Sequence, residues 1–243
     1  MASVKQFILF GLCALISSVF AEVDYTDYAR LLERYVAEDG VRYEAWSDDP
    51  DDLTALEDLL AALASVEVAA LPPASQKAFY INLYNAAMLQ AVFGHWPVAS
   101  VKEIGPKPFS IFTKRFIAQG ERRLSLDDVE KEILLKDYFD PRIHFAVNCA
   151  SESCPPLRAE PFVAERLEAQ LKAQTRLFAR SQRAARVDRT KKRVAYSSLF
   201  NWYAGDFRGD NPADYLNHYR ADRIPTDFGI GWIPYDWSLN AAK

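Results

Sequence analysis

Three histidines and three cysteines are all that the 243-residue chain holds of its most reactive side-chain types. One cysteine, Cys13, sits in an N-terminal leader, which leaves Cys149 and Cys154 for the remainder. Beyond the leader no apolar run is long and charge-free enough to cross a bilayer, so no transmembrane segment is expected in the mature chain. There is no internal repeat and no low-complexity linker, which argues against an array or a two-domain chain. The G-x-S-x-G elbow of serine hydrolases is missing, and turn capping accounts for Ser151 and Ser153. A formal net charge of −4 argues against a general nucleic-acid binder, and no cofactor is expected.

What the chain does have begins with an export pattern. Lys5 supplies a positive charge, residues 7–16 form a short apolar core, and Val19-Phe20-Ala21 offers a cleavage site. Leu12 is too large for a lipobox at Cys13, so cleavage after Ala21 is the expectation. Residues 1–21 then read as a signal peptide, and residues 22–243 as one periplasmic or secreted globular domain. Its partner is unassigned, a small molecule or a protein.

Along that domain, Tyr28, Leu31, Leu32 and Tyr35 make a helical stripe ended by Gly40, and Leu56, Leu59, Leu60 and Leu63 make a second. The acidic run Asp48–Asp52 between them lacks the spacing of a calcium loop and reads as a solvated turn. After Pro72-Pro73, Ser75 is placed to cap a helix from Gln76 to Phe93, with Gly94 at its end. Asn82 and Asn85 share one face of it, with Tyr84 to one side. Two asparagines on an apolar helix suggest hydrogen-bonding duty, in the first instance to loop backbone. Residues 109–118 suggest strands around a turn, and Ser125-Leu-Asp-Asp128 a capping-box variant opening a short helix. A helix over 162–180, a hairpin through Asp188 and Arg193–Tyr196, an aromatic helix near Phe200–Tyr203 and a tail from Gly229 that packs back complete an α+β fold. Its helices should cover a small mixed or antiparallel sheet. The basic cluster from Arg176 to Arg193 reads as a solvated face.

The chain concentrates His144, Asn148, Cys149, Ser151, Ser153 and Cys154 within residues 142–156. Residues 143–149 suit a buried strand, which would put His144 and Asn148 on one face and Cys149 on the other. Three readings stay open. A Cys149–Cys154 disulfide would close a small loop, worth about 2 kcal/mol by chain entropy and useful mainly for the loop's shape. Alternatively Cys149 is the nucleophile of a thiol hydrolase or acyltransferase, with His144 favouring its thiolate and Asn85 orienting the ring. That keeps a distant thiol-hydrolase-like fold in view, although such sites usually place the cysteine at a helix N-terminus. The third, a metal site on H-x4-C-x4-C, lacks a fourth ligand, and no metal is expected.

Phe79–Asn85, Ser125–Glu130, Asp140–Ala146 and Cys149–Pro155 resemble, in order, the domain of unknown function 547 family. Tyr235–Asn240 resembles the tail of its exported bacterial members. The resemblance places a family core at about 70–185 and points to Asn82, Tyr84, Asn85, His144, Cys149 and Ser153, without assigning them roles. It implies no reaction. Plant members carry a leucine zipper for partner binding that this chain does not show, and often serine where it has Cys154. The resulting expectation is a binding or scaffold domain with a polar pocket around His144 and Cys149, the Asn-bearing helix packed beside it. The alternative is thiol catalysis.

Overall fold

A computed structural model describes residues 23–207 and 211–243; the expected signal peptide lies outside them. Helix α1 (Thr26–Tyr35) buries Tyr28, Leu31, Leu32 and Tyr35, the stripe read from the sequence. It runs into a two-residue-per-strand hairpin, β1 (Val36–Ala37) with β2 (Gly40–Val41). Gly40 is needed there because a Cβ at this position would lie 2.5 Å from the Asn240 carbonyl oxygen. A short helix, α2 (Tyr43–Ser47), leads to α3 (Pro50–Ala64), whose N-terminus is capped by the Asp49 side chain with Pro50 in the first turn.

The acidic run is only partly the solvated turn expected: Asp48 and Asp51 are exposed, but its last member is not. Asp52 is buried, and it accepts hydrogen bonds from Arg30 at 2.6 Å, Arg34 at 2.6 Å and the Tyr35 hydroxyl at 2.8 Å, tying α3 to α1. Burial raises its pKa, but the Arg30 and Tyr35 hydrogen bonds and both guanidinium charges outweigh that, and the carboxyl is held below its usual range. A lowered folded pKa gives stability that is present above the unfolded value, about 4, and lost as pH falls through the folded one. Asp52→Asn is therefore expected to cost about 2 kcal/mol at neutral pH and less in acid. Urea unfolding at pH 7 and pH 3 checks this; an equal cost at both would contradict it.

Helix α4 (Pro73–Phe93) is the centre of the molecule, buried on all sides from Ala78 to Leu89. It starts earlier than Ser75 because Pro73 suits the first helical turn, and it ends at Gly94 as expected. Strands β3 (Ile117–Gln119) and β4 (Arg122–Leu124) pair antiparallel, while Ser110–Thr113 is a helical turn rather than strand. The Ser125 capping box forms reciprocally: Ser125 N–H donates to Asp128 at 2.9 Å and Asp128 N–H to the Ser125 hydroxyl at 3.0 Å. The helix it opens is wound as a π-helix over Asp128–Leu135.

Residues 143–149 do not form a strand. Pro141–Phe145 is a 3-10 helix, with the Asp140 carboxylate accepting from Arg142 N–H at 3.0 Å and Pro141 in its first turn. Asp-Pro is an N-cap followed by a first helical residue, and that local chemistry overrides the apolar run. The run is apolar for another reason. Ile143, Ala146 and Val147 join the main core, whereas Phe145 joins a second core with Phe178, Tyr196, Phe200 and Phe207. The segment is wedged between two cores, with His144 where they meet.

The second core lies against a mixed three-stranded sheet of order β5-β6-β7. Here β5 (Ala185–Asp188) pairs antiparallel with β6 (Arg193–Ser197), and β6 parallel with β7 (Gly229–Ile233). Helix Leu167–Ala179, preceded by a 3-10 turn at Ala164–Arg166, packs on the 3-10 segment. The molecule is thus an α+β domain of helices and small sheets, and no helix among the described residues is long and apolar enough to cross a membrane. The tail packs back as expected, clasping the 99–101 loop, the Cys149 loop and β2 through backbone hydrogen bonds.

Candidate functional site

Two asparagines of α4 hold the site from below. Asn85 donates to the Ala146 carbonyl at 3.0 Å and accepts from Asn148 N–H at 2.8 Å. Asn82 clamps Phe162 in the same two-point way, at 2.8 and 2.9 Å. Both meet the backbone of distant loops, the duty anticipated for them, and a primary amide carries its donor and its acceptor side by side on one planar group. Asn148 fixes the next turn, donating to Pro155 O at 2.8 Å and accepting from Ala150 N–H at 2.9 Å. Ala150 then adopts φ 59°, a left-handed conformation strained for a residue with a Cβ, so the Cys149 loop turns sharply and is held in place.

That turn brings Cys149 to the wall of a cavity of about 360 Å³. Tyr84, Val147, Cys154 and Pro155 line its base, and Phe109, Phe112, Trp202, Tyr235 and Trp237 its sides. The side walls form one aromatic sheet: ring centres are 4.8 Å apart for Trp202–Tyr235, 4.4 Å for Tyr235–Trp237 and 4.7 Å for Phe109–Trp237. Offset and edge contacts at these separations stabilise the wall beyond the area it buries.

The Cys149 sulfur lies 3.1 Å from the Ser151 hydroxyl and 3.5 Å from the Tyr235 hydroxyl, which are 3.2 Å from each other. Cys149 N–H donates to the Cys154 sulfur at 3.1 Å. Hydrogen bonds from the side chains of Cys154, Ser151 and Tyr235 favour the thiolate and hold the Cys149 pKa below that of an ordinary thiol. Burial pushes Cys154 the other way, well above it. The two sulfurs are not bonded, and both cysteines are free. The disulfide, one of the three readings left open by the sequence, is absent from this structure, where Asn148, the Ala150 turn and the tail already give the loop its shape.

His144 faces the same cavity from a different environment. Its Nε2–H donates to Asp206 at 2.7 Å, and its Nδ1 lies 3.9 Å from Glu130, beyond hydrogen-bond reach. The ring is buried, 4.1 Å from the Tyr203 ring centre. Glu130 accepts from the Tyr203 hydroxyl at 3.2 Å, and burial raises its pKa although His144 works against that. The π-helix carries Glu130 and Lys131 to the cavity, with Asp127 just before it, and such wide turns recur at functional sites. Asp127 is neutralised by Lys131 at 2.9 Å.

His144, Cys149, Cys154 and Tyr84 therefore share one cavity. Asn82, Asn85 and Asn148 lie behind it on backbone, and the Ser153 hydroxyl accepts from Asp236 N–H at 2.9 Å on the tail. Among the described residues no hydrogen bond joins His144 to Cys149, and none joins Asn85 to His144. Sequence reasoning missed Glu130, Tyr203, Asp206 and the aromatic wall as site residues. Glu130 and Tyr235 stood inside recognised motifs; Asp206 carried no signal. Among the described residues no group of three or more His, Cys, Asp or Glu is arranged to hold a metal ion.

Fold and site together define a helical α+β domain built around a hydrogen-bonded thiol, a histidine between two carboxylates and an aromatic cavity. Residues 68–179 match the family described as "Protein of unknown function, DUF547", and the chain carries a domain of that family. No curated protein and no solved structure matches the chain. The matched segment contributes Tyr84, Glu130, His144 and Cys149, whereas Trp202, Tyr203, Asp206, Tyr235 and Trp237 come from the chain that follows it.

Proposed function

We propose that this domain binds a small ligand with an apolar body and an amide or ester head, and presents Cys149 to that head as a thiolate. The observation that carries the reading is a thiol of lowered pKa at the wall of a 360 Å³ aromatic cavity. Cavities of this size and lining suit small molecules, and clustered ionisable groups of shifted pKa mark functional sites. Aromatic walls take the apolar body, while Glu130, His144 and Tyr203 offer hydrogen bonds to the head. We further propose that the domain is exported by its leader; a protein isolated from its native host with a mass beginning at Glu22 would support this.

Phenylacetamide, methyl phenylacetate and toluene serve as probes, read by tryptophan fluorescence and thermal shift. The amide and ester are expected to bind, toluene more weakly, and Trp202→Ala to weaken binding about tenfold by removing one ring contact. Equal binding of all three, or indifference to Trp202→Ala, would contradict the reading.

A second reading is acyl transfer, favoured by the His144–Asp206 pair on the same cavity. The Cys149 thiolate would attack an ester carbonyl carbon, forming a C–S bond as the carbonyl electrons move to oxygen. Collapse would expel the alkoxide, which takes a proton from a protonated His144, and water would later cleave the thioester. An acetyl group on Cys149 after exposure to p-nitrophenyl acetate, absent in Cys149→Ser and short-lived in the parent, supports it. No adduct would leave binding alone.

A further inference from the structure

The chain is acidic overall, yet Arg176 to Arg193 holds eight basic residues and one acidic residue, Asp188. All of the basic side chains but Arg183 are exposed, the solvated face expected, yet the fold also gathers several of them. It folds part of the run against a loop at residues 220–223 and strand β7, enclosing a groove of about 560 Å³ away from the aromatic cavity. Arg186, Arg189, Arg193, Arg220 and Arg223 line it.

The two carboxylates in the groove are already engaged. Asp188 accepts from Thr190 and Lys191 N–H at 3.0 and 2.9 Å and so caps the β5–β6 turn. Asp222 pairs with Arg220 at 2.5 Å, and Arg220 also donates to the Ala179 carbonyl at 2.6 Å. Among the described residues Arg186, Arg189, Arg193 and Arg223 have no carboxylate partner. Arg186 donates only to the Gln182 carbonyl, at 3.3 Å.

Strand register supplies a floor between these guanidiniums. Arg186 stands opposite Ala195, and Ala195 opposite Gly231; Asp188 stands opposite Arg193, and Arg193 opposite Gly229. On this face the centre of β6 and β7 therefore offers only Ala195, Gly229 and Gly231, and a ligand can approach the backbone. Trp232 is 42% exposed at the side. Arginine alone provides the cations here, and its planar fork matches pairs of phosphate oxygens better than a lysine would.

We propose that this groove is an anion site for a diphosphate group, its oxygens gripped by Arg186, Arg189 and Arg193 over the Ala195–Gly231 floor. A concave groove of this volume favours a discrete diphosphate over a flat membrane surface. The proposal stands apart from the aromatic cavity and its ligand.

Inorganic pyrophosphate, titrated calorimetrically against the full chain at low ionic strength, is the probe. Binding is expected, about tenfold tighter than orthophosphate and weakening as salt is added. The double variant Arg186→Gln/Arg193→Gln should lose at least about tenfold in affinity, with its circular dichroism and Tm unchanged because both side chains are exposed. Trp202→Ala, in the other cavity, should bind pyrophosphate normally. No binding, or equal affinity in the double variant, overturns the proposal. So does sedimentation with phosphatidic acid vesicles in the absence of pyrophosphate binding, which would reassign the groove to a membrane surface.

Discussion

Replacing Asn85 by leucine is expected to destabilise the protein by about 3 to 5 kcal/mol. The leucine fits the volume but offers nothing to the Ala146 carbonyl or to Asn148 N–H, which Asn85 meets at 3.0 and 2.8 Å in a buried setting. Each unpaired buried backbone group loses about 1 to 3 kcal/mol of solvation it cannot recover. Those two groups flank Val147, whose neighbours set the direction of the Cys149 loop, so the site should loosen together with the fold. Urea unfolding measures the first effect and the alkylation rate of Cys149 the second. A change below about 1 kcal/mol would show that water replaces the amide and that Asn85 is not the clamp described.

Truncation after Ile233 is expected to have a comparable effect by a different route. Residues 236–242 make seven backbone hydrogen bonds, among the described residues, to β2, the 99–101 loop and the 150–153 turn. The Asn240 side chain accepts from the Tyr43 hydroxyl at 2.8 Å and donates to Asn148 at 3.3 Å, joining α2 to the turn at Asn148. Removing the tail also removes Tyr235 and Trp237 from the cavity wall. At roughly 1 kcal/mol per backbone bond, partly offset by the released chain entropy, the loss is about 5 kcal/mol. For a domain of this size that lowers Tm by about 10 to 20 °C. A truncated chain with the parent's Tm would contradict the clasp.

Much of this was legible from residues whose role is local. The stripes of α1 and α3, Gly94 at the end of α4, the Ser125–Asp128 box and the Asp188–Arg193 hairpin follow from periodicity and capping chemistry, and all formed. Asn82 and Asn85 were legible because a polar amide on an apolar helix must find partners. Residues 143–149 misled because an apolar run between two cores resembles a strand when only one core is imagined; Asp140-Pro141 was the overlooked signal. Asp52 misled in the opposite sense, since its arginine partners come from another helix. Asp206 reaches His144 across 62 residues, and nothing in its own neighbourhood announces that. The family resemblance marked His144 and Cys149, but their distinct surroundings needed coordinates: a carboxylate for one, hydroxyl and thiol donors for the other.

The central claim is that Cys149 is a free, accessible thiolate held by Cys154, Ser151 and Tyr235. The direct measurement is its alkylation by iodoacetamide as a function of pH, without reductant, read by peptide mass spectrometry. The predicted profile has a midpoint clearly below that of an ordinary thiol, about 8.5. Tyr235→Phe, which removes one donor, should shift it upward, and Cys154 should stay unmodified. Modification only after reduction, or a midpoint at the ordinary value that ignores Tyr235→Phe, would contradict the account.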